Sequence, residues 1–406
     1  MKKDIDKLMK KIKIDAIYAV GKSSKDATMY YLLNGANIYG HYIKKQGKPA
    51  CVIHYPIERE IAQKSSLKLI NLNRYEIKKI FEKYPDKIKA NAFFIKTIFD
   101  NLKINGDVAF YGKTTFGMGY NYLRQLIKFD KKIKIHYESQ KDLITIARET
   151  KSEEEVKRIK HAGKAVVHAF TNMLETVRSM KIKNNVIMKD KNKKLLIGDL
   201  RAMLQRNLFE KNLVNSEGMI VAQGRDAGVP HNAGKEREVV KLGKTIVFDI
   251  YPQELGGGYF FDFTRTICFG YAPKNIKEIY NIVRDAQDYI IDRLKVGKKN
   301  IEIEKSICKF FEKKGHKTFL STPKIQNGYC HSLGHGIGLN VHESPTFGLL
   351  KTNNDKIKPG YVFTIEPGLY YPDKGFGIRL EDVIYINNKG KVINLTNCPR
   401  KLVAEM

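Results

Sequence analysis

Five residues in the second half of the sequence have the types and surroundings that suit metal binding: Asp249, Asp262, His335, Glu366 and Glu381. Each lies within or at the end of an apolar run, or between glycines, rather than on a charged helical face. Burying a carboxylate is unfavourable unless it pairs with a cation, and neighbouring carboxylates raise each other's pKa unless a cation neutralises them. We therefore predict that these side chains bind divalent metal.

The donor types also indicate which ions would bind and what they would do. Oxygen-rich sites with one imidazole suit hard to borderline ions such as Mn²⁺, Co²⁺, Fe²⁺ or Zn²⁺. Four carboxylates carry more negative charge than one such ion balances, whereas two ions can share bridging carboxylates and a water molecule. A pair of metal ions lowers the pKa of that water and stabilises a developing oxyanion. The donor set therefore predicts hydrolysis at two divalent ions.

A β-hairpin is expected to bring the two aspartates together. Residues 245–250 form an apolar run that contains Asp249, residues 256–258 are three glycines suited to a turn, and residues 259–264 form a second apolar run around Asp262. Facing side chains on antiparallel strands lie roughly 5 Å apart. The hairpin would therefore hold both carboxylates on one face.

The remaining three candidate ligands also end or interrupt strand-like segments. His335 lies between Gly334 and Gly336, which permit close approach of other backbone segments. Glu366 and Glu381 each follow an apolar run with strand character. We expect strands to carry all three side chains into the same cavity as the aspartates.

The first 145 residues alternate helical and strand-like patterns. Apolar residues recur at helical spacing over residues 5–12, and short apolar runs predict strands at 16–20, 50–53 and 108–111. Alternating helices and strands are typical of an α/β domain with a mixed or parallel sheet.

A domain boundary is predicted near residues 142–151. Ser152 and Glu155 form the S-x-x-E pattern of a capping box, which opens a long amphipathic helix. The Lys- and Asn-rich segment 181–194 is interpreted as a solvated loop or helix edge, and another helix is expected near residues 198–208.

Composition excludes several classes of protein. Of the 406 residues, 42% are apolar and 29% charged, which is ordinary for a globular protein and argues against extended disorder. No uncharged apolar run reaches about 18 residues, and no apolar signal core opens the chain, so we expect a cytoplasmic protein without a membrane span. The five dispersed cysteines form no C-x-x-C pair and predict neither disulfides nor a thiolate zinc site.

The chain is strongly basic, with 73 Lys+Arg against 43 Asp+Glu and a formal net charge of +30. Such an excess bears on solubility and non-specific binding rather than on fold. Because the lysines are spread along the whole chain, we interpret the charge mainly as composition and do not expect nucleic acid as a partner.

In their order along the chain, the site motifs resemble those of the pita-bread metallopeptidases, and most closely the proline-specific branch of Xaa-Pro dipeptidases and aminopeptidases P. The motifs are Asp249…Asp262-Phe263-Thr264-Arg265-Thr266, GHGIGL around His335, VHESP with His342 and Glu343, IEPG with Glu366, and RLED with Arg379 and Glu381. The resemblance covers essentially the whole chain. It implies an α/β (α+β) fold, with a creatinase-like N-terminal domain at 1–145 and a pita-bread catalytic domain at 146–406. The interval between the two aspartates is longer than in common members.

The resemblance also implies a role for each candidate ligand. Asp249 resembles the ligand of one metal ion alone, and Asp262 and Glu381 resemble the two bridging carboxylates. His335 and Glu366 resemble ligands of the second ion. Glu366 would also accept the proton of the attacking water and pass it to the leaving nitrogen.

Accessory residues are implied in the same way. His231, in Val229-Pro230-His231, and His342 resemble residues that contact the substrate and stabilise the oxyanion. Arg379 would hold a ligand carboxylate, His331 is expected to line the same pocket, and Thr264 would support the bridging aspartate.

The activity implied is that of a dinuclear-metal exopeptidase that hydrolyses the Xaa-Pro bond at the N-terminus of dipeptides or short peptides by attack of a metal-bridging hydroxide. Mn²⁺ or Co²⁺ is the first expectation for the metal, with Fe²⁺ and Zn²⁺ as alternatives, and a homodimer is expected. One alternative is an aminopeptidase P that acts mainly on longer peptides. Two others are a non-peptidase hydrolase of the same fold and a catalytically silent homologue that binds nucleic acid or protein through its basic surface. Retention of all five ligands favours the peptidase.

Overall fold

The computed structural model of the chain describes residues 4–138 and 141–406. The chain divides into two compact units, Met1–Arg148 with Gly256–Gly258, and Glu149–Leu255 with Tyr259–Met406. The assignment of residues 1–145 and 146–406 as two domains stays a prediction.

The first unit is built on a six-stranded mixed sheet. Its helices are α1 (Ile5–Ile12), α2 (Ala27–Leu32), α3 (Arg59–Gln63), α4 (Ile77–Lys83), α5 (Lys87–Leu102), α6 (Phe116–Phe129) and α7 (Leu143–Arg148), with 3₁₀ turns at Ser23–Lys25, Pro56–Glu58 and Leu72–Tyr75. Its strands are β1 (Ala16–Lys22), β2 (Tyr39–Lys45), β3 (Cys51–His54), β4 (Lys68–Asn71), β5 (Gly106–Tyr111) and β6 (Ile133–Ile135).

The strand order of this sheet is β4-β3-β2-β1-β5-β6. The β1–β2 and β2–β3 pairs are antiparallel, whereas the β1–β5, β5–β6 and β3–β4 pairs are parallel. The apolar runs at 16–20, 50–53 and 108–111 supply β1, β3 and β5, so the predicted α/β architecture is confirmed. Their near-continuous apolar character follows from burial of both faces of the sheet.

The second unit combines four long helices with several small sheets. The helices are α8 (Glu153–Arg178), α9 (Ile197–Phe209), α10 (Lys274–Ile291) and α11 (Asn300–Lys313), with 3₁₀ turns at Asp226–Gly228 and Pro372–Lys374. The strands are β7 (Lys181–Lys183), β8 (Val186–Asp190), β9 (Lys193–Lys194), β10 (Leu213–Val214), β11 (Met219–Gln223), β12 (Thr245–Ile250), β13 (Gln253–Glu254), β14 (Thr264–Phe269), β15 (His335–Gly336), β16 (Glu343–Thr346), β17 (Val362–Ile365), β18 (Gly368–Tyr371), β19 (Phe376–Arg379), β20 (Asp382–Ile386), β21 (Val392–Asn394) and β22 (Val403–Ala404).

Two sheets of this unit carry most of the residues that the sequence predicts to bind metal. One has the order β11-β12-β14-β22 and the other β16-β15-β17-β20-β21, while β18 and β19 form a separate hairpin. The interior behind them is apolar, with buried side chains of α10 and α11 packed against β17 and β19.

The predicted capping box opens α8. The Ser152 hydroxyl accepts from the Glu155 N–H at 3.4 Å, and the Glu155 carboxylate accepts from the Ser152 N–H at 2.9 Å. The helix then buries a stripe that includes Ile159, Val166 and Met173.

The interpretation of residues 181–194 as a solvated loop or helix edge is wrong, because this segment forms the three-stranded sheet β7-β8-β9. Asn184 and Asn185 both adopt positive φ, at 49° and 63°. Two such residues make the type I′ turn that matches the twist of paired strands, and Ile187 is fully buried beneath it.

The expected hairpin around the aspartates is present, but its second strand begins later than predicted. β12 and β14 pair so that Asp249 lies opposite Thr264. Residues 259–263 precede β14 and pair only irregularly across the hairpin. The Phe263 and Tyr259 carbonyls accept from the Ile250 and Glu254 N–H groups at 2.9 and 3.1 Å, whereas the Phe260 N–H donates to the Gly338 carbonyl at 2.7 Å. Asp262 therefore lies on the connection between the strands.

Two further sequence expectations can be compared with the described residues. All five cysteines are free thiols, as predicted. Within residues 4–138 and 141–406, no helix is both long and apolar enough to cross a membrane.

Candidate metal centre

The candidate site is a cavity of about 490 Å³ in the second unit. Strand ends deliver its side chains: Asp249 lies near the end of β12, His335 begins β15, and Glu366 directly follows β17. The residues predicted from the sequence that line this cavity are Asp249, Asp262, His335, Glu366, Glu381, His231, His331, His342 and Arg379. Thr264 lies behind them, at the start of β14.

Glycines on both sides of His335 allow its strand to approach other backbone segments. A Cβ at Gly334 would overlap the backbone of Thr364, and one at Gly336 would overlap that of Ser344. The Thr364 hydroxyl accepts from the His335 N–H at 3.1 Å. These contacts fix the position of the imidazole.

The closest group of donors comprises Asp262, His335 and Glu381, whose potential ligand atoms all lie within 4.8 Å of one another. The Gly336 carbonyl can only accept, so the His335 Nδ1 donates to it, at 3.1 Å. The Nε2 lone pair then faces Asp262 Oδ2 at 3.6 Å and Glu366 Oε1 at 3.4 Å. This tautomer is the one that a metal-binding histidine needs.

The pKa values of these groups show strong repulsion among the carboxylates. Burial, followed by the charge of Glu381, raises the pKa of both Asp262 and Glu366. Burial, followed by the charge of Asp249, raises the pKa of Glu381 to about 8. Burial lowers the pKa of His335 to about 3, so its imidazole is neutral. Without a cation, the carboxyl groups of this cluster therefore favour their protonated forms, and a bound cation would allow them to ionise.

Two features of the cluster fit a divalent cation. Glu381 Oε1 is buried and has no hydrogen-bond partner among the described residues. The Nε2 lone pair of the neutral His335 faces Asp262 and Glu366 at 3.6 and 3.4 Å, longer than an ordinary hydrogen bond and suited to a shared cation. A metal ion would satisfy both, which supports the donor set as a metal site.

Asp249 lies beside this group and is held by a buried arginine. The Arg379 guanidinium forms an ion pair with Asp249 and donates from Nε to the Thr264 hydroxyl at 3.2 Å. The Thr264 hydroxyl lies 2.7 Å from Glu381 Oε2 and 3.0 Å from Asp249 Oδ1. Arg379 and Thr264 therefore link Asp249, at the end of β12, to Glu381, between β19 and β20.

His331 belongs to the same hydrogen-bonded network. Its Nδ1 donates to the Ser332 carbonyl at 2.8 Å, so its Nε2 accepts from the Tyr370 hydroxyl at 2.8 Å. Tyr370 in turn accepts from Arg379 Nη1 at 2.8 Å. Burial, followed by the charge of Arg379, lowers the pKa of His331 to about 3. His331 is thus a fixed neutral group in the cavity wall.

The other two histidines face the cavity more freely. The His342 ring stacks edge-on against His335, with ring centroids 4.2 Å apart. Burial lowers the pKa of His342, and His231 lies near enough for its charge to contribute to that shift. The neutral imidazole of His342 can donate a hydrogen bond to a polar substrate atom.

Gln287 is a site-supporting residue that the sequence analysis missed. Its amide nitrogen donates to the Ile365 carbonyl at 3.0 Å and to the Leu380 carbonyl at 3.3 Å. These carbonyls immediately precede Glu366 and Glu381, so one buried amide ties together the backbone beneath two candidate ligands. Along the chain, Gln287 is only a polar residue within the amphipathic helix α10, and no motif distinguishes it.

We expect Gln287→Met to weaken metal binding and activity by roughly 10- to 100-fold, the usual effect of losing a group that orients metal ligands. Methionine keeps the volume of the side chain but removes both donors. Metal affinity, measured by competition with a chelator, and kcat for the same samples check this result. Asn281→Met, on the exposed face of the same helix, should leave both unchanged. Native metal affinity in the Gln287 variant would show that the carbonyls hold their positions without it.

The carboxyl cluster should make the stability of the metal-free protein depend on pH. The pKa of Glu381 is about 8 in the folded protein against an ordinary 4.5, so between these values the folded state binds more protons than the unfolded state. Stability then falls as pH rises, by up to about 1.4 kcal/mol per pH unit for each such proton. The window from pH 7.5 to 8 lies above the ordinary histidine pKa of 6.5, so His331 and His335 are largely neutral there in both states.

Urea unfolding in EDTA should therefore show a loss of stability from pH 7.5 to 8, and added Mn²⁺ should remove or reverse that trend. The same slope with and without metal would mean that the carboxylates are neutralised by something other than a cation.

Known proteins with similar sequences and folds identify the family. The sequence profile of metallopeptidase family M24 matches residues 157–388, more than half of the chain. A Xaa-Pro dipeptidase of Pyrococcus horikoshii is 28% identical over 402 residues, which cover 99% of this chain and 98% of that protein. A Xaa-Pro dipeptidase of Pyrococcus furiosus is 26% identical over 408 residues, covering 99% and 100%. Among solved structures, a Xaa-Pro dipeptidase from Bacillus anthracis has a TM-score of 0.76 at 24% identity and covers 98% of both chains.

This chain belongs to metallopeptidase family M24. The predicted pita-bread fold and the predicted enzyme class, a metallo-exopeptidase, are confirmed. Membership of this family also implies divalent metal ions.

Proposed function

We propose that this chain is a Xaa-Pro dipeptidase that uses two divalent metal ions bound by Asp249, Asp262, His335, Glu366 and Glu381. The observation that carries the proposal is the convergence of four carboxylates and one neutral imidazole in a single cavity of about 490 Å³. Two relatives that align over nearly their full length are Xaa-Pro dipeptidases, which supports the choice of substrate. When bound, the metal ions would activate a water molecule and stabilise the developing oxyanion.

Glu366 is the group best placed to move the proton. Its carboxylate is 3.4 Å from His335 Nε2, and burial together with Glu381 raises its pKa. A carboxyl group with a raised pKa can hold a proton near neutral pH and release it again, as general acid–base catalysis requires. Glu366 would accept the proton of the attacking water and donate it to the nitrogen of the leaving proline.

His231 and His342 would contact the substrate. Both line the cavity opposite the carboxylates, and burial keeps His342 neutral at pH 7. An imidazole N–H directed at the scissile carbonyl oxygen stabilises the negative charge that develops there. Arg379 would act indirectly, because its guanidinium is already bonded to Asp249 and to Tyr370.

The direct assay is the release of the N-terminal alanine, which all three test peptides yield on cleavage, together with free proline from Ala-Pro. Metal-stripped protein is supplied with Mn²⁺ or Co²⁺ and given Ala-Pro, Ala-Ala and Ala-Pro-Ala in parallel. We expect turnover of Ala-Pro, with Ala-Ala and Ala-Pro-Ala slower by roughly tenfold or more, since a site built for one substrate discriminates by differential transition-state binding. Faster cleavage of Ala-Pro-Ala would instead assign the chain as an aminopeptidase P. No release of proline by folded, metal-loaded protein would overturn the proposal.

Assembly and location stay predictions. A homodimer is expected, and light scattering coupled to size-exclusion chromatography measures it. The cytoplasmic location follows only from the sequence expectations given above.

A further inference from the structure

The first unit contains a cavity of about 750 Å³ that plays no part in the candidate metal centre. It opens at the carboxyl ends of β1 and β5, which are parallel neighbours. From β1 the chain continues to β2 on one side, and from β5 it continues through α6 to β6 on the other side. The crevice at such a switch in strand order is where open α/β sheets bind ligands.

The walls of this cavity are aromatic and aliphatic. They include Val20, Ile95, Phe110 and Leu123 together with several tyrosine rings. The hydroxyl groups of two of these tyrosines are engaged: Tyr18 bonds to His41 at 2.7 Å and Tyr111 donates to Glu138 at 2.7 Å. These tyrosines therefore present ring surface rather than polar groups to an occupant, which suits a flat apolar body.

The lining also carries three lysines, Lys22, Lys25 and Lys113. None of the three forms an ion pair with a residue that the structure describes. The lining carboxylate Asp26 is already engaged, because it caps α2 by accepting from the N–H groups of Thr28 and Met29. The cavity thus combines an apolar interior with a net positive lining, three lysines against one carboxylate.

The N-terminal end of α6 adds to the positive potential of this cavity. Its N-cap residue, Thr115, makes no side-chain capping bond, and the first turn contains no acidic residue. The N-terminal end of the helix therefore keeps its partial positive charge beside the lysines. Gly119, in the second turn, lines the cavity and leaves room where a side chain would otherwise stand.

We propose that this cavity is a binding site for a small aromatic carboxylate, with the ring between the tyrosine-lined walls and the carboxylate beside Lys22, Lys25 and Lys113. The cavity is of the size that small organic ligands occupy. The site lies in a different unit from the metal centre, and the proposal does not depend on the peptidase activity.

The test is calorimetric titration of the metal-loaded full chain with 2-naphthoate, with the neutral 2-naphthamide as its matched probe. We expect one saturable site per chain for 2-naphthoate and roughly tenfold weaker binding of the amide, because the lysine contacts require a negative charge. Equal binding of the two probes would overturn the proposal.

Two pairs of variants locate the site. Gly119→Trp fills the cavity and should abolish binding, whereas Gly117→Trp, on the same helix with nothing within 4 Å of its Cβ, should not. Replacing Lys22, Lys25 and Lys113 with Gln should weaken binding roughly tenfold. The same change at the exposed residues Lys128, Lys131 and Lys132 removes equal charge and should have no effect.

A carboxylate probe can also bind at the metal centre, and the first pair of variants distinguishes the two places. Binding of 2-naphthoate that survives Gly119→Trp would place the probe outside this cavity and contradict the proposal. If the two triple-lysine variants lost affinity for 2-naphthoate equally, the effect would be one of net charge alone. That result would also contradict the proposal. Proline release by the Gly119 variant should match the native rate.

Discussion

Glu366→Gln should lower kcat by roughly 10³-fold or more while the protein remains folded. Two contributions disappear together, since glutamine neither binds a divalent cation as a carboxylate does nor accepts the proton of the attacking water. The raised pKa of Glu366 indicates that its charge is unfavourable in the metal-free protein, so the substitution should not lower thermal stability in EDTA. Proline release and thermal melting of the same sample measure both effects.

Glu304→Gln provides a control for Glu366→Gln. Glu304 is buried in α11, accepts from the Tyr329 hydroxyl at 2.9 Å and the Leu333 N–H at 2.9 Å, and has a pKa raised by burial to about 7. Glutamine resembles its protonated form and can still accept from Leu333. We expect kcat within about threefold of native, a small effect beside that of removing a catalytic acid–base group. Near-native kcat in Glu366→Gln would show that another group moves the proton.

Asp262→Asn should have opposite effects on stability and on activity. Burial and the charge of Glu381 raise the pKa of Asp262, so removing its charge should stabilise the metal-free protein by about 1 kcal/mol or more at pH 8. The asparagine oxygen can keep the bond from the Phe263 N–H, now 2.9 Å long. Metal binding and kcat should nevertheless fall, by roughly 10²-fold or more, because a carboxylate proposed to bind the metal ions is lost. Urea unfolding in EDTA and proline release with Mn²⁺ test the two halves separately.

Asp382→Asn is the matched comparison, since Asp382 is also a buried aspartate next to Glu381. It accepts from Arg265 at 2.8 Å, and both side chains are buried. Replacing Asp382 leaves the buried Arg265 guanidinium without its charged partner. We expect this to destabilise the protein by roughly 3 kcal/mol, with or without metal. If Asp262→Asn destabilised the metal-free protein as Asp382→Asn is expected to, the carboxylate cluster would be a structural ion network. It would then not be a metal-binding site.

The sequence was informative where function and local structure depend on short motifs. The apolar run at 245–250, the glycines around His335 and the capping box at Ser152 and Glu155 each follow from local chemistry, and the structure has each of them. The structure also brings all five candidate ligands to one cavity.

Features that depend on distant segments could not be predicted in this way. Gln287 acts on carbonyls that lie 78 and 93 residues further along the chain, and no motif marks it. The strands β7 to β9 were missed because lysine-rich composition suggested solvation, whereas the Asn184-Asn185 turn and the burial of Ile187 determine the pairing. Asp262 lies outside a strand because the pairing before β14 is irregular, with the Phe260 N–H bonded to the Gly338 carbonyl rather than across the hairpin.

Anomalous diffraction from crystals soaked in Mn²⁺ would test the central claim most directly. We predict two peaks roughly 3.5–4 Å apart, within bonding distance of Asp249, Asp262, His335, Glu366 and Glu381. A single peak, or manganese bound elsewhere while these five side chains keep their positions without it, would contradict a paired-metal centre.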